Sequence, residues 1–480
     1  MALRQGGGVP SGHWARNGLP AKTSMAMPNQ LAVCRTAGRN ESSDVWERPN
    51  VTALHLLLPV AGRAGVSERL NMKKFIPLVF VVAAAGVAVA GFRAPSPSSF
   101  LFVWAGANDT ASDFLAVIDA DPASPHYGGV VASLPVGAAG THPHHTEAVM
   151  PADGHLLANG FHAGKTWLFD LTKPEAPRII TSFGDLAGLS HPHTYVRLAD
   201  NTLLTTFQYS AGMGGMAMYG SETTGGLVQM DERGTVIRSG SARDTTIADR
   251  HLFPYSVLPI PALDVAVSTT TNMDPADTVG TDQWVQIWRL SDLKLRKSIA
   301  LPPGPGGSEN QLTGEPFLLP DGHSVYIHTF HCGLYLLRGV ETATPTAELV
   351  KTFPGVPCGV PILTGHWWLQ TVSRQHELVA LDISDAEHPR EVSQVSLGDD
   401  ETPHWMAIDP TGRRLVVNSG GYSKGDRLFI VNFDPANGAL SVDERFKDPG
   451  DGKPGLDLRH RSWPHGYTGR AAPHGAVFSR

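Results

Sequence analysis

A hairpin that recurs seven times, a strand left unpaired at each end of that array, and a composition rich in Gly and Pro but poor in charge predict an all-β chain. The architecture that satisfies all three is a seven-bladed β-propeller, its ring closed by pairing the C-terminal strand with the N-terminal one. The 480 residues include 51 Gly and 37 Pro, and only 17% are charged, as many short strands joined by tight turns require. A net charge of −7 offers no basic footprint for nucleic acid.

The outer hairpins open at Phe114, Trp167, Gly226, Val285, Gly333, Glu377 and Arg427. Each begins with an apolar run such as Phe114–Asp119 or Glu377–Asp382, turns through Asp, Pro or Gly, and returns as a second strand. Inner hairpins lie between them. Their first strands start at His145, His193, Tyr255, Pro316, Val360 and His404. Six inner pairs are complete, and Ser99–Trp104 and His474–Ser479 remain over. Pairing these two supplies the seventh and removes two exposed edges. Ser99 to Arg480 allows about 55 residues per blade, longer than a WD repeat and therefore carrying longer loops.

Before the propeller the chain reads differently. Residues 1–71 are Gly- and Arg-rich without periodicity and are read as a non-native or disordered leader. Met72 begins a basic start, an apolar core and an Ala88-Val89-Ala90 end over 72–90, the layout of a secretory signal; the alternative is an uncleaved anchor, the one contact with a membrane this sequence foresees. A Pro/Ser linker over 91–98 follows, and the propeller fills 99–480. A periplasmic or secreted location is the expectation. Of three cysteines, Cys34 lies in the leader, while Cys332 and Cys358 should come near one face and could form a disulfide in an oxidising compartment.

The chemistry concentrates at Thr141-His142-Pro143-His144-His145. A Pro-His pair returns at Pro192-His193, Pro403-His404 and Pro473-His474, each opening an innermost strand. A propeller sets those positions at one mouth of its channel, so His144, His145, His193, His404 and His474 are the candidate metal ligands. Tyr255, Glu315 and Cys358 fall near the same level in the other blades, making a carboxylate and a thiol possible there. Converging imidazoles repel one another when protonated and invite a cation when neutral; Zn, Cu, Fe and Ni all suit them. His142 and His191 are placed by their spacing as ligands or as turn residues outside the ligand set. Met213, Met216 and Met218 are soft donors or simple packing residues on a Gly-rich crossover, and Trp405 is expected at the rim of the mouth.

His144-His145-Thr146, the segment His191–His193, Gly225–Asp231 and Leu381–Arg390 resemble the selenium-binding protein/methanethiol oxidase family across the whole propeller. That resemblance implies a seven-bladed fold and, from its bacterial methanethiol oxidases, a periplasmic copper enzyme. Those convert methanethiol and oxygen, with water, to formaldehyde, hydrogen sulfide and hydrogen peroxide. It places copper ligands at His144, His145, the His191/His193 segment and His474; His404 is proposed from the repeat alone. Thr146-Glu147-Ala148 departs from the family, whose better-known members carry Trp-Asn and a selenium-linked cysteine cluster there. The expected function is a copper-dependent oxidase of methanethiol or a related small thiol, with oxygen as co-substrate. The alternative is a non-catalytic periplasmic propeller binding metal, selenium or another ligand.

Overall fold

The computed structural model describes residues 98–108, 110–212, 224–247, 252–273, 283–421 and 424–480. The leader, the signal segment, all of the linker but Ser98, and Met213, Met216 and Met218 lie outside the described residues.

Seven antiparallel sheets form the blades of a propeller. Six run from the centre outward in chain order, their innermost strands being Pro143–Thr146, Leu189–Arg197, Pro254–Ile260, Thr313–Leu318, Ile362–Thr364 and Trp405–Ile408. In the seventh, Ala472–Phe478 is innermost and pairs with Phe100–Gly106, outside which lie Phe114–Asp119 and Val130–Pro135. Leu101 faces Phe478, Val103 faces Ala476 and Ala105 faces Pro473. The last strand therefore closes the ring. A buried ion pair between Arg414 and Asp409, 2.9 Å apart, reinforces the closure: the same guanidinium donates to the carbonyls of Ala120 and Ser98 in the seventh blade.

The blades' central strands are buried on both faces and largely apolar, with a few buried polar residues such as Asn159 and Gln208. Leu101, Val103 and Ala105 pack with Val416 and Ile430 of the preceding blade, while Phe102 and Trp104 pack with Leu156 and Phe169 of the next. Strand alternation thus serves two neighbours at once. Clusters of the same kind fill the remaining interfaces. The outermost strands, such as Arg178–Phe183 and Val236–Ser241, have one face on solvent and read as mixed polar sequence.

One irregularity recurs where the site lies. Pairing shifts register between Pro143 and Thr146, Pro192 and Tyr195, Pro254 and Val257, and Thr313 and Pro316. Four innermost strands therefore bulge at the same end. A bulge breaks the alternation that would send consecutive side chains to opposite faces.

Candidate metal centre

The bulge at Pro143–Thr146 is what lets two adjacent histidines share one site. The imidazoles of His144 and His145 stack at 4.2 Å between centroids with only 6° between planes. Their segment is held from both sides. Asp113 accepts from the backbone N–H and hydroxyl of Thr141 at 2.7 and 2.6 Å. The buried Asn159 accepts from the backbone N–H of His145 at 2.7 Å and donates to the carbonyl of Pro192 at 3.0 Å, tying the first two histidine strands together. At Gly475 a Cβ would sit 2.7 Å from the backbone nitrogen of Thr146, so only glycine allows the last strand close enough to bring His474 to His144.

The five predicted residues come together at one end of the channel. His144 lies 4.1 Å from His474 and 4.9 Å from His193; His145 lies 4.5 Å from His193; His404 lies 4.9 Å from His474, all between ring centroids. Within each of the triplets His144–His145–His193 and His145–His404–His474, one ring nitrogen per residue falls within 4.8 Å of the others. His144, His145, His193 and His474 are buried, and His404 is partly so.

Electrostatics keep these rings neutral. Burial, then mutual repulsion, holds His144, His145 and His474 well below the ordinary imidazole range. Burial brings His193 down to about 3 and His404 to about 4. The tautomer of His193 follows from its partner. Its Nδ1 meets the carbonyl of Tyr255 at 2.7 Å, and a carbonyl only accepts. The proton therefore sits on Nδ1 and leaves an unprotonated Nε2, which has no hydrogen-bond partner among the described residues. Both ring nitrogens of His144 are likewise buried without one. Leaving such groups unpaired costs about 1–3 kcal/mol each, and a cation accepting the lone pair of the unprotonated nitrogen on each ring removes that part of the cost. A borderline transition metal fits this donor set.

An aromatic wall surrounds the imidazoles. Tyr255 packs on His193 at 4.1 Å, and its hydroxyl lies 3.3 Å from Nε2 of His145. Phe161 edges His144 at 5.9 Å, and Phe330 stacks on His404 at 5.8 Å. Trp405 is 3% exposed and packs 4.9 Å from His145. Its indole N–H donates to Ala476, which makes it an inner wall of the site and not the rim residue its sequence position predicts.

The other expectations fare differently. Glu315 lies near enough to oppose the lowering of His404, as foreseen, while its carboxylate bonds Nε2 of His328 at 2.6 Å. Cys332 and Cys358 form the foreseen disulfide, so Cys358 offers no free thiol. His142 and His191 both adopt left-handed backbone, at φ 55° and 59°, and part ways from their neighbours. His191 packs between Phe161 and Tyr209, 5.4 and 5.2 Å away, so His193 is the member of that segment that reaches the cluster. His142 does approach His144 and His474. His162, in the turn after His155–Gly160, carries no strand-start signal and escapes the sequence reading, yet it packs 4.2 Å from His142. The grouping Asp153–His155–Glu232 stands apart and already takes Arg197 as its cation.

No family model matches the sequence. The chain is 26% identical over 369 residues to a methanethiol oxidase of Hyphomicrobium sp., spanning 69% of this chain and 78% of that protein. Among solved structures, a hypothetical selenium-binding protein from Sulfolobus tokodaii matches with a TM-score of 0.61 at 17% identity, over 80% of this chain and 94% of that one. A periplasmic gluconolactonase of Pseudomonas aeruginosa matches with a TM-score of 0.52 at 15% identity, over 79% and 99%. The structural likenesses show the propeller fold; the sequence relative carries the resemblance to the selenium-binding protein/methanethiol oxidase family.

Proposed function

We propose that this chain is a copper-loaded propeller that oxidises methanethiol or a related small thiol, exported through the segment 72–90. The observation that carries the reading is the buried cluster of imidazoles, in which His144 and the Nε2 of His193 have no hydrogen-bond partner among the described residues, found in a chain whose relative is a methanethiol oxidase. His144, His145, His193 and His474 would hold the metal, with His404 beside them. Copper there would supply one-electron redox chemistry between thiol and oxygen, which redox-silent zinc does not offer.

The chain's own residues explain why such a centre suits a small apolar thiol. Burial keeps the imidazoles neutral and their lone pairs available down to pH values well below neutrality. Phe161, Tyr255, Phe330 and Trp405 exclude water and leave a small apolar surround. The Tyr255 carbonyl orients His193, and its hydroxyl, beside His145, is the polar group placed to hold or pass a proton at the edge of the cluster. Oxidation of a thiol must release protons, so a hydroxyl at that position has a use.

The competing reading is a non-catalytic propeller that stores metal or carries selenium or another ligand. Selenium capture by thiols finds little support, because the described cysteines are bonded to each other and Glu147, at the point of departure from the family, is committed to Arg197 at 2.7 Å. The test is elemental analysis of protein matured in an oxidising compartment, then oxygen consumption and sulfide release with methanethiol and its short-chain homologues. Copper content with turnover supports the oxidase. Copper-loaded protein inert across the series leaves the binding reading in its place.

A further inference from the structure

The buried centre poses a problem of access. A cation cannot cross an aromatic wall without ligands, since removing charge from water costs several kcal/mol or more. A cleft of about 280 Å³ opens on one side of the cluster, lined by His142, His162, Pro143, Gly421 and Ala472, with Asp113 as its carboxylate. Pro143 and Ala472 belong to the two strands that carry His144 and His474.

The imidazoles along this side form a graded series. His162 is exposed, His142 is half-buried, and His144 and His474 are buried. Ring centroids are separated by 4.2 Å from His162 to His142, then by 5.7 Å to His144 and 6.3 Å to His474. A ring nitrogen of His142 falls within 4.8 Å of one on each of His144 and His474. Its Nδ1 is buried and has no hydrogen-bond partner among the described residues. His142 adopts left-handed backbone at φ 55°, outside the strand, and lines the cleft.

We infer that His162 and His142 form a loading station, a transient site that takes a copper ion from solvent and hands it to His144 and His474. This rests on the metal reading of the buried cluster and adds the path by which the cluster fills. Transfer is ligand exchange: one imidazole nitrogen at a time displaces a bound water, which returns to solvent, with no change of oxidation state. Asp113 favours a cation over an anion in the cleft, although its oxygens are engaged by Thr141 and by the N–H of Ala107.

The test uses the metal-free full chain with copper(II) supplied as its weak glycine complex. Paramagnetic copper arriving at the cluster quenches Trp405, whose ring lies 4.9 Å from that of His145, so stopped-flow fluorescence follows loading and a strong external chelator follows release. The variants are His142→Asn, which tolerates the left-handed backbone, and His162→Gln. Both should slow uptake and release alike, each about tenfold, the factor expected when one lost contact raises a barrier by roughly 1.4 kcal/mol. Final copper content should equal that of the unaltered protein. Unchanged rates would overturn the loading role. So would a final copper content that falls with the loss of His142, because the residue would then be a resting ligand. Should His142→Asn fold poorly, His162→Gln decides alone, since its exposed turn carries no core packing. Failure of the unaltered protein to take copper would overturn the metal reading itself, a result distinguishable from either of the others.

Discussion

Replacing His144 by Leu should make the metal-free protein more stable and the metal-bound protein less so. His144 is 2% exposed, with neither ring nitrogen hydrogen-bonded among the described residues. An apolar side chain of similar volume removes a desolvation penalty of about 1–3 kcal/mol. Against this stands the lost stacking on His145, worth roughly 0.5–1.5 kcal/mol. The net expectation is a gain of about 1 kcal/mol in denaturant unfolding of metal-free protein at pH 7.5. Copper at a hundredfold over its dissociation constant should stabilise the unaltered protein by about 2.7 kcal/mol and the variant by nearly nothing, which reverses their order. A pH series gives a second arm. The folded-state pKa values of His193 and His404, about 3 and about 4, lie below the ordinary 6.5, and that of His144 is also lowered. The unfolded chain therefore binds protons first. Stability is full above pH 6.5 and falls as pH drops toward the folded values, by up to about 1.4 kcal/mol per pH unit for each such histidine. The variant, with one fewer, should decline less steeply. A metal-free variant clearly less stable than its parent, or equally stabilised by copper, would refute the reasoning.

Four further outcomes are expected. Phe478→Ala should cost about 3–5 kcal/mol, because this ring is 2% exposed, packs in the closing interface and lies under the Arg414 guanidinium; truncation before Pro473 should abolish cooperative melting by exposing the edge of Phe100–Gly106, and calorimetry checks both. Replacing Cys332 and Cys358 together by Ala should lower stability by roughly 3–4 kcal/mol, the entropy of a cross-link spanning 26 residues, and reductant should lower the melting temperature of the parent but not of that variant. N-terminal sequencing of exported protein should read from near Gly91; recovery of residues 1–71 on the folded product would remove the secretion reading.

What the sequence determined by itself follows from local rules. Strand period and turn chemistry are written within ten or so residues, so seven repeated hairpins, the unpaired strands at either end and their mutual pairing were all legible. The register of the repeat also located His144, His145, His193, His404 and His474 at one end of the channel, because equivalent positions in equivalent blades have equivalent heights. What only the tertiary structure decided concerns direction and partnership across blades. Simple alternation would have separated His144 from His145, and a bulge turns both inward. His142 and His191 look alike in sequence, yet the first approaches the cluster and the second packs against Phe161 and Tyr209. Glu315 was spent on His328, Cys358 on Cys332, and Trp405 became a wall instead of a rim. The cleft beside His162 and His142, which sit at the same end of one blade, is completed by Asp113, Gly421 and Ala472 from neighbouring blades meeting in space. The physical reason is the same throughout. A strand's pattern specifies its two faces, whereas the distance between side chains on different blades depends on how seven packed interfaces close the ring.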